Sequence, residues 1–73
     1  MAKSAISNQT SALPQKLRAA RLAAGLRAID VARELGVSLQ TVYRWEYGIH
    51  SPSVATLRRL AEVYGVPISE LLS

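Results

Sequence analysis

Two polar side chains near the middle of the chain, Gln40 and Arg44, have the type and spacing to bind another molecule. Because they are four residues apart, a helix through this segment projects both from one side. A glutamine side chain can pair bidentately with adenine, and an arginine can pair with the O6 and N7 atoms of guanine. Ordinary solvated helices carry the same residue types, so a plain exposed face is the alternative interpretation.

The sequence contains no arrangement of residues that is typical of an enzyme active site. The chain of 73 residues contains no cysteine and a single histidine, His50. It therefore offers no thiol nucleophile, no disulfide framework and no histidine cage for a metal ion. No segment approaches the roughly 20 apolar residues of a membrane span, and no apolar run follows Lys3 as a secretory signal requires. We expect a binding protein that is not an enzyme and has no cofactor, metal or membrane anchor.

The charge and length of the chain favour one small domain with a polyanionic partner. Nine Lys and Arg against five Asp and Glu give a net charge of +4, and 49% of the residues are apolar. A positive balance attracts nucleic acid, and this apolar fraction is typical of a folded domain. The sequence therefore predicts a flexible N-terminal arm over residues 1–12, which are polar and small, followed by one domain over residues 13–73.

The functional side chains must be positioned by short helices. Glycines fall where apolar-periodic segments end, and prolines stand where segments begin, as helix C-caps and first turns favour. No alternating pattern of useful length predicts a strand. These signals predict an all-α, compact five-helix bundle with helices near residues 14–24, 28–35, 39–47, 54–64 and 68–72.

The central segment has the pattern of two helices joined by a tight turn. Ala32 allows a close helix approach, and Gly36, four residues later, suits a left-handed turn. Ser38 can accept a hydrogen bond from the first free amides of the next helix. Val42 and Trp45 are three residues apart and share one inward face. The second helix thus begins with a capping serine and keeps a polar outer surface.

This joint pattern resembles the helix-turn-helix domains of phage repressors and Cro proteins, the Xre family. The resemblance is carried by LRAAR at 17–21, GL at 25–26, VARELGVS at 31–38, TVYRWEYG at 41–48, SPS at 51–53 and LRRLAEVYGV at 57–66, followed by ISELL. It implies a lambda repressor-like DNA-binding domain whose recognition helix, about residues 38–47, lies in the major groove.

The resemblance, together with the residue types, assigns candidate DNA contacts. The base-reading candidates are Leu39, Gln40, Thr41, Tyr43 and Arg44, with Tyr43 alternatively covering the surface. The phosphate-contact candidates are Arg27, Ser38, His50, Ser51 and Ser53. For Ser38 and Ser53 the main predicted role is that of a helix N-cap, because each stands immediately before a predicted helix. Many family members have a capping residue followed by a glutamine that binds phosphate at the start of the second helix. This chain has Arg27 and Ala28 at these two positions, so the cap and the glutamine contact are missing here.

The family pattern also pairs Arg21 with Glu46 as a structural ion pair between helices, the alternative being two separate surface charges. The predicted core consists of apolar residues from all five helices: Leu17, Ala20, Ala24, Val31, Ala32, Leu35, Val37, Val42, Trp45, Leu57, Leu60, Ala61, Tyr64, Val66, Ile68 and Leu71. So small a domain exposes apolar residues near its end, which predicts a homodimer through Ile68, Leu71 and Leu72. Alternatively, Leu72 completes the monomer core.

These expectations combine into two hypotheses. The leading one is a cytoplasmic, nucleoid-associated transcriptional regulator that binds double-stranded operator DNA as a homodimer, without a small-molecule ligand. The alternative is a protein-interaction module, such as an antitoxin or anti-repressor, that keeps the fold with weak or no DNA readout. Arg44 and the positive charge favour the first hypothesis, whereas the missing glutamine and the exposed tyrosines Tyr43 and Tyr47 favour the second.

Overall fold

The computed structural model describes the backbone of residues 2–73 and the side chains of residues 12–73. Within this range the chain forms five helices, which are α1 (Ala2–Ala23), α2 (Ala28–Leu35), α3 (Leu39–Glu46), α4 (Val54–Tyr64) and α5 (Ile68–Leu72). No strand occurs among the described residues. The prediction of an all-α five-helix bundle is therefore confirmed.

The first helix differs from its predicted bounds. It begins at Ala2 and contains Pro14, which was predicted to stand in its first turn. A proline inside a helix lacks one N–H donor and its ring crowds the carbonyl of the preceding turn, so α1 has one hydrogen bond fewer at this position. The flexible arm predicted for residues 1–12 lies, apart from Ala12, outside the residues whose side chains are described.

The turn between α2 and α3 follows from its residue types. Gly36 ends α2 with a φ of 72°, a left-handed conformation that would be strained in a residue with a Cβ atom. The N–H of Val37 then donates to the carbonyl of Ala32 at 3.0 Å. Ser38 begins α3 as its N-cap, because its hydroxyl accepts from the N–H of Thr41 at 3.1 Å. These local bonds join the two helices by only three residues.

A single core lies between the helices. Its buried apolar members come from α1 to α5: Leu17, Ala28, Val31, Ala32, Leu35, Val42, Trp45, Leu57, Leu60, Ala61, Tyr64 and Leu71. The prediction that Ala24 belongs to the core is wrong, since Ala24 lies exposed in the turn after the last residue of α1. Ala28, which was noted only for a missing glutamine, is buried at the first position of α2.

We expect Gly48→Ala to destabilise the domain by about 1–3 kcal/mol, measured as a shift of the urea midpoint. Gly48 has φ 77°, and an added Cβ would lie 3.3 Å from Cγ of Pro14 on α1. The matched control is Gly65→Ala, because Gly65 has a similar φ of 73° and no atom within 4 Å of the new Cβ. Equal losses in the two variants would show that the α1 contact contributes nothing.

Candidate nucleic-acid interface

Helix α3 has one buried side and one exposed side. Val42, Trp45 and Glu46 are buried against the rest of the domain. The residues Gln40, Tyr43, Arg44 and Tyr47 are exposed. Their spacing of three, four and seven residues places them on one strip of the helix surface. We call these four residues the outward face of α3.

The outward face combines hydrogen-bonding groups with aromatic rings. Gln40 and Arg44 stand four residues apart on it, in the relation that the sequence predicts. The rings of Tyr43 and Tyr47 are 6.0 Å apart between centroids and tilted by 36°. Tyr47 is 73% exposed and was missing from the candidate contacts. Its position three residues after Arg44 is the signal that could have found it.

Two other base-reading candidates are less open. Leu39 is half-buried and packs against the core. Thr41 is also half-buried, and its hydroxyl lies 2.9 Å from the hydroxyl of Ser38. Both stand in the first turn of α3, where the backbone N–H groups of a helix attract anions. Their roles in base reading stay predictions.

The far end of α3 is held by a buried ion pair. Nε of Arg21 donates to Oε2 of Glu46 at 2.7 Å, and Nη2 donates to Oε1 at 3.0 Å. Nη1 of Arg21 also donates to the carbonyl of Leu26 at 3.1 Å, which ties the α1–α2 turn to the pair. The hydrogen bonds to Glu46 raise the pKa of Arg21 above its usual value. The bidentate geometry holds the end of α3 against α1.

Tyr64 lies beside this ion pair. Burial raises the pKa of its hydroxyl to about 12, and the negative charge of Glu46 contributes in the same direction. A tyrosine is neutral when protonated, so a raised pKa in the folded state favours folding below the unfolded value of 10.0. That contribution is lost as the pH rises through the range between the two values.

We therefore expect the domain to lose about 1–2 kcal/mol of stability between about pH 9 and about pH 11.5 through Tyr64 alone. Tyr64→Phe removes the ionisable group and keeps the ring in the core. Urea unfolding of both proteins at the two pH values measures the difference. If the phenylalanine variant loses as much stability as the parent, the alkaline loss has another origin.

Arg27 does not stand free at the start of α2. Its backbone N–H donates to Oδ2 of Asp30 at 2.9 Å, and its guanidinium donates to both carboxylate oxygens at 3.1 and 3.0 Å. These bonds hold the pKa of Asp30 below its usual value. An arginine side chain has no acceptor, so no side chain at the N-cap of α2 accepts from its first turn, and Asp30 instead accepts the N–H of Arg27 itself. Part of the charge of Arg27 is thereby neutralised.

The loop after α3 brings the remaining phosphate candidates to the surface. His50, Ser51 and Ser53 are exposed. Ser53 is the N-cap of α4, and its hydroxyl accepts from the N–H of Thr56 at 3.1 Å. Ser38 and Ser53 therefore begin two helices whose first N–H groups lie at exposed ends. Their contacts with phosphate stay predictions.

The sequence of the domain matches a known family. A family described as helix-turn-helix matches residues 17–71. The chain belongs to this helix-turn-helix family. The resemblance predicted from the sequence pattern is thus confirmed.

Three relatives of this helix-turn-helix chain are transcriptional regulators by name. The transcriptional repressor RstR of the cryptic phage CTXphi, from Vibrio cholerae, is 41% identical over 58 residues, covering 80% of this chain and 52% of the repressor. The regulator DdrOP3 of Deinococcus deserti is 37% identical, covering 82% of this chain and 46% of DdrOP3. An uncharacterized helix-turn-helix regulator of Methanocaldococcus jannaschii is 34% identical, covering 81% and 89%.

The match covers different shares of the three relatives. The helix-turn-helix chain spans about half the length of the first two relatives. No solved structure matches the chain. Among residues 12–73, no three His, Asp or Glu side chains lie close enough together to hold a metal ion. None of the described helices of this helix-turn-helix domain combines the length and apolar character of a membrane span.

The three residues predicted for a dimer contact have different surroundings. Leu71 is 2% exposed and belongs to the core, and its place in a subunit contact stays a prediction. Ile68 is half-buried against the core. Leu72 is exposed, which excludes the alternative that it completes the monomer core. A shallow groove between α1 and α5 has Lys16, Ala19, Glu70 and Leu71 among its lining residues.

Proposed function

We propose that this chain is a sequence-specific DNA-binding transcriptional regulator that inserts the outward face of α3 into the major groove. The observation that carries the proposal is the availability of Arg44. Among residues 12–73 the structure contains two ion pairs, Arg21–Glu46 and Arg27–Asp30, and neither includes Arg44. Its guanidinium is exposed on the same strip as Gln40, so both can reach base edges.

The regulator would gain much of its affinity from phosphate contacts. The first turns of α3 and α4 present N–H groups beside Ser38 and Ser53, and such helix ends suit phosphate oxygens. His50 and Ser51 lie exposed in the loop between these helices. Each neutralised phosphate releases counterions, so we expect binding to weaken steeply with salt. Such a regulator acts in the cytoplasm at the nucleoid and needs neither a cofactor nor a small-molecule ligand.

A two-fold dimer would suit a pseudo-palindromic operator. In this dimer Leu72 of each copy enters the α1–α5 groove of the other copy. Ala19 and Ala23 make the α1 side of the groove shallow, which lets a second helix approach closely. Lys16 lies on the α1 side and Glu70 on the α5 side, so each copy offers charges complementary to the other. Recognition helices of such dimers lie about 34–36 Å apart.

Charge reversal tests this dimer. Lys16→Glu and Glu70→Lys should each weaken association in sedimentation experiments, because both variants place like charges across the contact. An equimolar mixture of the two variants should associate again, since the mixed dimer restores both opposite-charge pairs. A single species of monomer mass for the parent protein at micromolar concentration would remove the dimer from the proposal.

The second candidate is a protein-interaction module. Tyr47 at the end of α3, Ile49 in the loop after it and Val54 at the first position of α4 are large apolar or aromatic side chains that are exposed. Exposed apolar surface of this kind is typical of protein contacts. In this alternative the outward face of α3 binds a protein partner, as in an antitoxin or anti-repressor, and reads DNA weakly or not at all.

Selection from a random duplex pool separates the two candidates. The chain should enrich duplexes with a shared half-site, and two half-sites in inverted repeat would support the dimer. Fluorescence anisotropy with the selected duplex and a random duplex, at two salt concentrations, then measures specificity and salt dependence. Absence of binding even at low salt would contradict the DNA-binding proposal and favour the interaction module.

A further inference from the structure

The last carbonyl groups of α2 require hydrogen-bond donors, because a helix leaves its final four carbonyls without intrahelical partners. The turn supplies donors for two of them. The N–H of Val37 donates to Ala32 at 3.0 Å, and the N–H of Gly36 donates to Arg33 at 3.3 Å. The carbonyls of Glu34 and Leu35 remain for a side chain or water to satisfy.

Arg59, on α4, supplies the missing donors. Nη2 of Arg59 donates to the carbonyl of Glu34 at 3.3 Å, and Nη1 donates to the carbonyl of Leu35 at 3.5 Å. The positive guanidinium also stands at the negative end of the α2 dipole. One side chain of α4 thus completes the end of α2, immediately before the Gly36 turn. Nothing in the sequence distinguishes Arg59 from its neighbour Arg58.

The place of these bonds gives them a consequence for α3. The turn that follows Leu35 leads through three residues into α3, so the position of the end of α2 sets where α3 begins. The opposite end of α3 is held by Arg21 through Glu46. One arginine from α4 therefore contacts the end of the helix that precedes α3, and one from α1 holds the far end of α3.

We propose that Arg59 is a positioning residue that sets the direction in which α3 leaves the turn and, through it, the base preference of the outward face. The second half of this statement rests on the proposed DNA-binding function, whereas the first half does not. Arg59 itself touches no DNA in this scheme. Its guanidinium donates to carbonyls of α2, so Arg59 acts through the backbone that leads into the turn.

The test compares three variants of the full chain. Arg59→Met keeps an unbranched apolar side chain but removes every donor, and Arg59→Lys keeps the charge and a donor group. Arg58→Met is the control, since it makes the same charge change one residue earlier on α4, at an exposed position. Residual dipolar couplings of backbone N–H groups measure the angle between α3 and α4 without any DNA. Anisotropy with the selected and the random duplex measures the ratio of specific to random affinity.

The Arg59→Met variant should change the α3–α4 angle and lower the affinity ratio by about fivefold, while the Arg58→Met variant keeps both. The lysine variant should keep more of both than the methionine variant, because it retains a donor for the carbonyls. If Arg59→Met does not fold, the lysine variant carries the comparison, with smaller changes in the same direction. An unchanged angle in a folded Arg59 variant, or better retention by Met than by Lys, overturns the positioning role. A changed angle in a protein that selects no duplex supports positioning and contradicts the DNA-binding function instead.

Discussion

Replacing Glu46 by alanine should lower the free energy of unfolding by about 3–5 kcal/mol, because it leaves the charge of Arg21 buried without a partner. Both side chains are almost fully buried, and two hydrogen bonds of 2.7 and 3.0 Å join them. A domain of this size has several kcal/mol of stability in total, so the variant should be partly unfolded at room temperature. Urea unfolding followed by circular dichroism measures the change.

The matched control for Glu46→Ala is Arg27→Ala. The Arg27–Asp30 ion pair is also bidentate, but its arginine is 74% exposed, so water can replace the lost partner. Exposed ion pairs contribute little because water screens them, so we expect Arg27→Ala to leave the urea midpoint almost unchanged. A Glu46→Ala protein with the parent's urea midpoint would contradict the role of the ion pair in holding α3.

Replacing Arg44 by alanine should weaken binding to the selected duplex by about 1–3 kcal/mol and relax the base preference at one position. The reason is that Arg44 presents a guanidinium that no described acidic side chain neutralises. Stability should change little, because the side chain is exposed. Anisotropy with the selected duplex and with duplexes substituted at each position, at one salt concentration, measures both effects.

The control for Arg44 is Arg58→Ala, which removes one positive charge from the exposed surface of α4. It should weaken binding to selected and random duplexes by a similar, small factor through the net charge alone. If Arg44→Ala likewise weakens both duplexes equally, Arg44 contacts a phosphate and does not read a base.

Local signals predicted most of the fold. Residues 28–35, 54–64 and 68–72 were predicted as helices with the bounds that α2, α4 and α5 have. Ser38 and Ser53 were predicted as N-caps, and both accept the expected N–H bond. Caps, turns and apolar periodicity involve residues close together in the chain, so their energetics can be read from neighbouring letters. The pairing of Arg21 with Glu46 came from the family pattern instead.

Contacts between distant segments were harder to predict. Nothing near Arg59 in the sequence indicates that it meets the carbonyls of Glu34 and Leu35, some 24 residues away. The sequence shows that Arg27 cannot cap α2 with its side chain, but it does not show that Asp30 accepts the backbone N–H of Arg27. The sequence predicts Leu71 both in the core and in a subunit contact, and only the tertiary structure shows that its side chain is buried within the domain.

The sequence by itself determined that this chain forms short helices and that α2 and α3 meet at a tight turn, because each of these depends on residue types within one or two helical turns. The helix-turn-helix class followed from a pattern spread over residues 17–72. The tertiary structure decided which charges are free and which are committed. Arg44 has no acidic partner among residues 12–73, whereas Arg21, Arg27 and Arg59 are engaged with a carboxylate or with backbone carbonyls. Arginines carry the same charge in the sequence, and only packing brings an acceptor within hydrogen-bond distance of some of them.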